Sequence, residues 1–451
     1  MIVQRLNFPV DPAAAFRSFA SESDYAFWLD SARGSSPMSR FSYVGFVPAD
    51  SEVLRVEHSG VGESDNAWQL LATALETAPS VVEVPASLGF LRDELLGGYV
   101  GYFGYEARRS LGFSVPFEAA TPDALWMPAV SYLIFDHSSG QTYAVGSEEW
   151  VASIEQELPR VNYSTEELKL QKVLDFPQPE RAPYEAKVRE SLREIFEGNS
   201  YEVCLTAETS CEVPEACNDE HMLALYLSQR AHNAAPYAAL LKCGDHWVLS
   251  SSPEKFLTVS ATGVAETKPI KGTVPRSADP ALDEERAAWL ASDPKTQAEN
   301  LMIVDLLRND LSRVSVPGSI RVPVLMGVES YSTVHQLVST VTSQLRPGTT
   351  AVEAAAACFP GGSMTGAPKQ STMEIIDRLE SRARGIYSGA LGFFSATGAA
   401  NLSIVIRTLV TRSSGCLTLS AGGAIVADSD PAAEYEEMLT KLAAAVPGLS
   451  A

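Results

Sequence analysis

Cysteine is scarce and unpatterned in this chain. Six of 451 residues are cysteine (Cys204, Cys211, Cys217, Cys243, Cys358 and Cys416), and none forms a C-x-x-C pair. That argues against a disulfide framework and against a zinc site. Positive charge is short as well. The 34 Lys and Arg stand against 56 Asp and Glu, a formal net charge of −22. A nucleic-acid or anionic-membrane partner does not fit that balance. No stretch approaches the ~18 consecutive apolar residues of a membrane span. The opening MIVQRLNFPVDP has no apolar core of signal-peptide length. A cytoplasmic protein is expected. There is no internal repeat, no low-complexity tract, no G-x-G-x-x-G loop and no G-x-C-x-G nucleophile elbow.

What remains is ordinary globular composition, 45% hydrophobic and 20% charged, enough for a sizeable core. Residues 1 to about 150 alternate short apolar runs with turns, as in SRFSYVGFVP and MPAVSYLIFDH, and read as strands. GGYVGYFGYE (97–106) reads as a sheet edge or a tight packing site. A charged, then proline-rich stretch over 164–183 reads as a surface connection, with a boundary near 180. After it, Val188, Leu192, Ile195 and Phe196 recur at helical spacing, followed by a strand with Val203 and Leu205. Strands and helices then mix without βαβ alternation. The expected class is α+β with largely antiparallel sheets and helices outside. Residues 1–180 form an N-terminal region not independent of the core, and 181–451 the catalytic region.

Several residues suit chemistry. Lys271 lies in TKPIKGTVPR, bracketed by Pro269 and Pro275, a constrained turn at a strand end. There it is either a surface lysine or a lysine aimed into a pocket. Glu299 shares a helical stripe with Met302, Ile303 and Leu306. A carboxylate there meets a cation, a hydrogen-bond set or a metal, or else reaches solvent at the rim. In EYEEMLTK, Glu434, Glu437 and Lys441 share one face, either as solvated ion pairs or as a metal-facing set. Glu299 and Glu437 would suit Mg²⁺, which takes one or two carboxylates and keeps positions for water and substrate oxygens.

The loop FPGGSMTGAPK, with Ser363 and Thr365, runs into a helix near Pro368 and could face an anion, against the plain reading of a turn. Gly422 and Gly423 permit close backbone approach at a strand end. Arg407, in VIRTL, reads as mid-strand, a carboxylate clamp or a strand-face arginine. Glu254 in SSPEKF and His335 in TVHQLVST complete the set. These features describe an acidic α+β protein whose C-terminal half fits Mg²⁺ and an oxyanion, with a placed lysine. They do not name the substrate.

Taken in order, SPE, KPIKGT, AENLMIVDLLRNDL, VHQLVST, FPGGSMTGAPK, GIYSGALG, IRT, AGGAIVADS and EYEE…K resemble the chorismate-utilising enzymes. The resemblance is dense over about 180–445 and looser upstream. It implies an anthranilate-synthase-like fold, two packed, largely antiparallel β-sheets flanked by helices, with the site in a deep cleft. It also implies Mg²⁺ on Glu299 and Glu437, with Glu434 beside them. Arg407, Tyr387, Gly422 and Gly423 would hold substrate carboxylates, with Lys441 alongside. Thr273 and His335 would contact the ring, and Glu254 would be the general acid/base.

Lys271 stands where the C2-aminating members carry alanine, in PIAGT. The resemblance therefore implies amination of chorismate at C4, with Lys271 as nucleophile. Lysine addition at C2 expels the C4 hydroxyl, and ammonia at C4 then expels the lysine. Such a lysine must be neutral, so a depressed pKa is expected. The alternatives are the anthranilate and 2-amino-2-deoxyisochorismate synthases, in which Lys271 is a bystander.

Glu202 replaces the lysine base by which family members activate water. Thr296 replaces a carboxylate found in some relatives, and Ala424 a frequent glycine. The lack of a glutaminase elbow implies a separate glutamine amidotransferase subunit, or free ammonia. Ser31, Asn233, Pro236 and Tyr237 resemble the family's tryptophan site.

Overall fold

The computed structural model describes the chain apart from residues 32–39, 63, 82–83, 159–173, 214–217, 332–333, 413–414 and 447–451. Cys217 and most of the charged part of the proposed surface connection lie outside the described residues.

Apolar alternation builds two large sheets. The first has eleven strands in the order Ile2–Arg5, Gln141–Gly146, Ser131–Asp136, Phe41–Phe46, Tyr25–Asp30, Tyr237–Cys243, Trp247–Ser252, Thr408–Arg412, Cys416–Ile425, Glu202–Glu212 and Gly366–Ala367. The second has ten. Its path runs Ile270–Pro275, Val334–Gln344, Val264–Lys268, Lys255–Val259, Ala400–Ile404, Ala390–Ser395, Gly98–Phe103, Ala124–Pro128 and Leu54–Val56, with Arg321–Ser330 paired to Val334–Gln344. The pairings in both are antiparallel. With the flanking helices this is the expected α+β architecture. Each sheet takes strands from both sides of residue 180.

The strand holding GGYVGYFGYE is interior, between Ala390–Ser395 and Ala124–Pro128, so the sheet-edge alternative is corrected. Tight packing explains its glycines: a Cβ on Gly101 would lie 1.9 Å from the Leu125 carbonyl oxygen. The helix Arg181–Phe196 forms where helical spacing predicts it, with Val188 buried and Leu192 and Ile195 packed against the core, but Phe196 is exposed and lies off the apolar stripe.

Two crossovers between the sheets create the cleft. The chain leaves Trp247–Ser252 in the first sheet and enters Lys255–Val259 in the second, with Glu254 at the junction. It returns from Ala400–Ile404 to Thr408–Arg412, with Arg407 at that junction. The crossovers are laced together: the Ile404 amide donates to the Glu254 carbonyl at 3.0 Å, and the Ser251 amide to the Arg407 carbonyl at 3.1 Å.

Candidate active site

The floor of the cleft is the strand Ile270–Pro275. Lys271 is not in a turn, as expected from its prolines, but in this strand. Gly272 adopts φ 74° and shifts the register between Lys271, opposite Leu337, and Thr273, opposite Gln336. This bulge re-aims the side chains. Lys271 turns inward and is 9% exposed, whereas Thr273 is exposed and accepts from Gln336. A Cβ on Gly272 would meet the Thr296 methyl at 2.5 Å, so the bulge also fits the small residue at 296. Thr296 in turn donates its amide and hydroxyl to Asp293, the N-cap of its helix.

Lys271 Nζ donates to Glu202 Oε1 at 2.8 Å. Glu202 is wholly buried, and its second oxygen has no hydrogen-bond partner among the described residues. The expectation of a depressed lysine pKa is overturned. Burial pushes it down, but the charge and hydrogen bond of Glu202 and the charge of Glu299 win and raise it. The sequence marked Glu202 only as the absence of a water-activating lysine. The ion pair links residues 69 apart and needed the fold to be seen.

One wall is the helix Pro294–Ser312, started by Asp293 and Pro294. Glu299 is largely buried there, and burial raises its pKa against the pull of Lys271 and Lys295. The opposite wall is the helix Pro431–Ala443, capped by Asp430. Glu434 is 3% exposed and accepts from Ser429 at 2.6 Å, with its pKa raised by burial. Glu437 is held low despite partial desolvation, chiefly by Lys441 at 2.7 Å. Lys441 also donates to the Gly422 carbonyl at 2.9 Å.

These side chains converge on Gly423. A Cβ there would lie 3.0 Å from Glu434 Oε2, 3.6 Å from Glu437 Oε1 and 3.8 Å from Lys441 Nζ. Lys295, missed in the sequence, has its ammonium 3.6 Å from Glu434 and 3.9 Å from Glu299. The described residues hold no cluster of three or more metal-type side chains already gathered. The donors nonetheless fit a hard cation that takes one or two carboxylates, with Lys295 marking the cation-favouring position between the helices.

Glu254 is 8% exposed, and burial raises its pKa against the charges of Lys271, Lys441 and Arg407. It borders a space of about 10 Å³ shared with Gly361, Gly362 and Ser363. Part of the FPGGSMTGAPK loop is tied into the scaffold. Thr365 is buried and bonds the Gly361 carbonyl of its own loop, and Gly366–Ala367 pairs with Val203 and Glu202. Arg407 is corrected from mid-strand to the sheet crossover, at φ 50°, a conformation rare for a non-glycine residue and common at functional sites. Its guanidinium reaches Asn233 at 3.5 Å.

Tyr387 is buried and lines a cavity of about 340 Å³ with Glu208, Arg382, Thr408 and Ser420. Gly422 permits close strand packing, since a Cβ would lie 2.0 Å from the Leu205 oxygen. His335 is buried beside Thr273, but both ring nitrogens have protein partners, Ser330 at 2.8 Å and Asp283 at 3.1 Å. A second cavity of about 540 Å³ lies away from these carboxylates and is lined by Ser31, Pro236 and Tyr237. Asn233 is not on it, and belongs with Arg407 instead. No helix among the described residues is long and apolar enough to cross a membrane.

Comparison with known proteins agrees with this geometry. The sequence model of the chorismate binding enzymes matches residues 24–447. Aminodeoxychorismate synthase from Streptomyces pristinaespiralis is 41% identical over 96% of this chain and 62% of its own length. Aminodeoxychorismate synthase component 1 from Escherichia coli is 37% identical over 96% of this chain and 95% of its own. The chain thus spans about three fifths of the Streptomyces relative. The crystal structure of anthranilate synthase component I from Streptococcus pneumoniae superposes with a TM-score of 0.77 at 30% identity, covering 91% of this chain and 93% of that one. With a family model matching nearly the whole chain and a relative 37% identical over almost its full length, the chain belongs to the chorismate binding enzyme family.

Proposed function

We propose that the chain acts as an aminodeoxychorismate synthase, replacing the C4 hydroxyl of chorismate with an amine derived from ammonia. The carrying observation is Lys271, a buried lysine re-aimed into the cleft by the Gly272 bulge. In the proposed reaction Lys271 Nζ adds to C2, both ring double bonds shift (C1=C2 to C1=C6 and C5=C6 to C4=C5), and the C4 hydroxyl leaves with a proton from Glu254 as water. Burial raises the pKa of Glu254, which suits it to that acid role. Ammonia then adds at C4, expels Nζ from C2 and returns a proton to Glu254. Two allylic displacements put nitrogen at the carbon that lost oxygen, where one would put it at C2.

Glu299 and Glu437, with Glu434, would hold a Mg²⁺ ion, which supplies charge neutralisation for a substrate carboxylate. Arg407 and the Gly422–Gly423 backbone would bind carboxylate oxygens, and Thr273 would meet the ring. A glutamine amidotransferase subunit would deliver the ammonia. The name component 1, carried by the relative from Escherichia coli, supports a partner subunit. The Ser31, Pro236 and Tyr237 cavity would take a tryptophan-sized amino acid.

One observation favours a second reading, C2 amination of the anthranilate synthase type. The ion pair with Glu202 holds Lys271 as an ammonium, as a bystander would be held. The test is product identity. The protein is incubated with chorismate, Mg²⁺ and an ammonium salt, and a lyase that converts 4-amino-4-deoxychorismate to para-aminobenzoate is added. Para-aminobenzoate is expected. Anthranilate alone would overturn the proposal.

A further inference from the structure

A nucleophilic amine and a buried ammonium are contradictory requirements on Lys271, and the residue that meets both is on the page. Glu202 opens the strand Glu202–Glu212, and its backbone is clamped from two sides. Ser200 Oγ donates to its carbonyl at 2.8 Å, the Tyr201 amide donates to the Ala367 carbonyl at 2.7 Å, and the Cys204 amide to the Thr365 carbonyl at 2.9 Å. Gly366 comes so near that a Cβ would lie 1.9 Å from the Glu202 oxygen. The backbone that carries the carboxylate is therefore fixed, and the ion pair with Nζ is the side chain's one hydrogen bond among the described residues.

The carboxylate is wholly buried, and bulk water does not reach it to take up a proton. Among the described residues its only side-chain partner is Lys271, and Oε2 stands unpartnered. The other titratable groups whose charges raise the pKa of Nζ are Glu299 and Cys204. Glu299 lies across the cleft on its own helix, and Cys204 is a buried thiol. A buried carboxylate left half-satisfied beside a single ammonium is costly as a purely structural device.

We propose that Glu202 is the proton acceptor that turns Lys271 from a stored ammonium into the attacking amine, and that it also aims Nζ. The inference rests on the reading of Lys271 as nucleophile. The proton moves from Nζ to Glu202, leaving a neutral amine beside a neutral carboxyl. The nitrogen lone pair forms the C2–N bond as the C4–O bond breaks, and the hydroxyl departs as water with the Glu254 proton. The adduct is a secondary ammonium and needs no further deprotonation. When ammonia forms the C4–N bond, the C2–N bond breaks and Nζ leaves as a neutral amine. It recovers its proton from Glu202, and the new C4 ammonium gives one to Glu254. Both carboxyls end as they began.

The experiment follows the covalent Lys271 adduct by mass spectrometry, with full-length protein, chorismate and Mg²⁺ but no ammonia. Wild type, Glu202→Gln and Glu202→Asp are compared near neutral pH. Wild type should form the adduct. Glu202→Gln, which keeps the shape but not the basicity, should form it more slowly by ~10²-fold or more. Glu202→Asp should recover part of that rate. Chorismate KM should change far less than the adduct rate, which a merely structural role would not produce. An equal adduct rate in Glu202→Gln overturns the proton-acceptor role while leaving the nucleophile in place. No adduct in wild type overturns both.

Discussion

Two buried ion pairs involve the same strand, Glu202–Glu212, and they are built to opposite specifications. Arg384 and Glu380 are each about 1% exposed at the side chain. Arg384 spends all five N–H donors: two on Glu380, and one each on the Met364 carbonyl, the Cys204 carbonyl and Ser388. Glu380 also accepts from the amide and hydroxyl of Thr206 at 2.8 Å. Lys271 and Glu202, two residues up the strand from Cys204, share one hydrogen bond and leave an oxygen over. A fully satisfied network in low dielectric specifies a structure, whereas a half-satisfied one has capacity left for a reaction. The first pair is scaffold and, on the proposed function, the second is machinery, though both are a cation against a glutamate.

Four substitutions sharpen or break that contrast. Lys271→Ala should have the largest effect, lowering 4-amination by more than ~10³-fold in the coupled para-aminobenzoate assay. Its cost in stability should be only about 1–3 kcal/mol, because the pair shares a single hydrogen bond and only one partner of Glu202 is lost. Arg384→Met should do the reverse. It strands Glu380 and two carbonyls, and chemical denaturation should show a loss of roughly 3–5 kcal/mol. If the two variants lose stability equally, the distinction between scaffold and machinery fails.

The third test concerns Glu106, a buried carboxyl that, among the described residues, is hydrogen-bonded by backbone amides and by no lysine or arginine side chain. It accepts from the Arg384 and Gly385 amides at 2.8 and 2.9 Å. Burial pushes its pKa up to about 7 from an ordinary 4.5. The folded chain therefore holds a proton that the unfolded chain releases. The associated stability is fully present below about pH 4.5 and is lost as the pH rises through about 7. Glu106→Gln should flatten that loss by roughly 3 kcal/mol between pH 5 and 8 in denaturation curves. An unchanged slope would show that another group carries it.

The smallest effect belongs to the rim. Lys441 and Glu437 are 40% and 52% exposed, so Lys441→Ala should cost about 0–1 kcal/mol of stability. It should act instead on chorismate KM and on the Mg²⁺ concentration needed. A large stability loss would mean that the rim, too, is scaffold.

Much of this was legible in the sequence, and the exceptions have physical causes. Periodicity marked the helices that carry Glu299 and Glu437, because amphipathic patterning is local. Tight packing, one of the two readings of GGYVGYFGYE, holds at Gly101, whereas Gly422, expected at a strand end, lies inside the strand Cys416–Ile425 against the Leu205 oxygen. Arg407 was misread as mid-strand, since neither its positive φ nor a change of sheet leaves a mark on neighbouring residue types. Lys271 was placed in a turn because Pro269 and Pro275 suggested one, whereas a bulge at Gly272 lets the strand continue. The charge state of Lys271 was misjudged for a different reason. Burial alone argues for a neutral amine, and only the tertiary pairing with Glu202 reverses the sign. Asn233 was assigned to the amino-acid cavity by the resemblance of NAAPY to the family's tryptophan site, but at the end of the helix Asp219–His232 it meets Arg407 instead.

The central claim is that Lys271 decides the carbon at which nitrogen arrives. The most direct measurement is the ratio of para-aminobenzoate to anthranilate formed by wild type and by Lys271→Ala, with chorismate, Mg²⁺, ammonium and the lyase. The account predicts para-aminobenzoate from wild type and none from the variant, with any residual amination appearing at C2. Undiminished para-aminobenzoate from Lys271→Ala would contradict it.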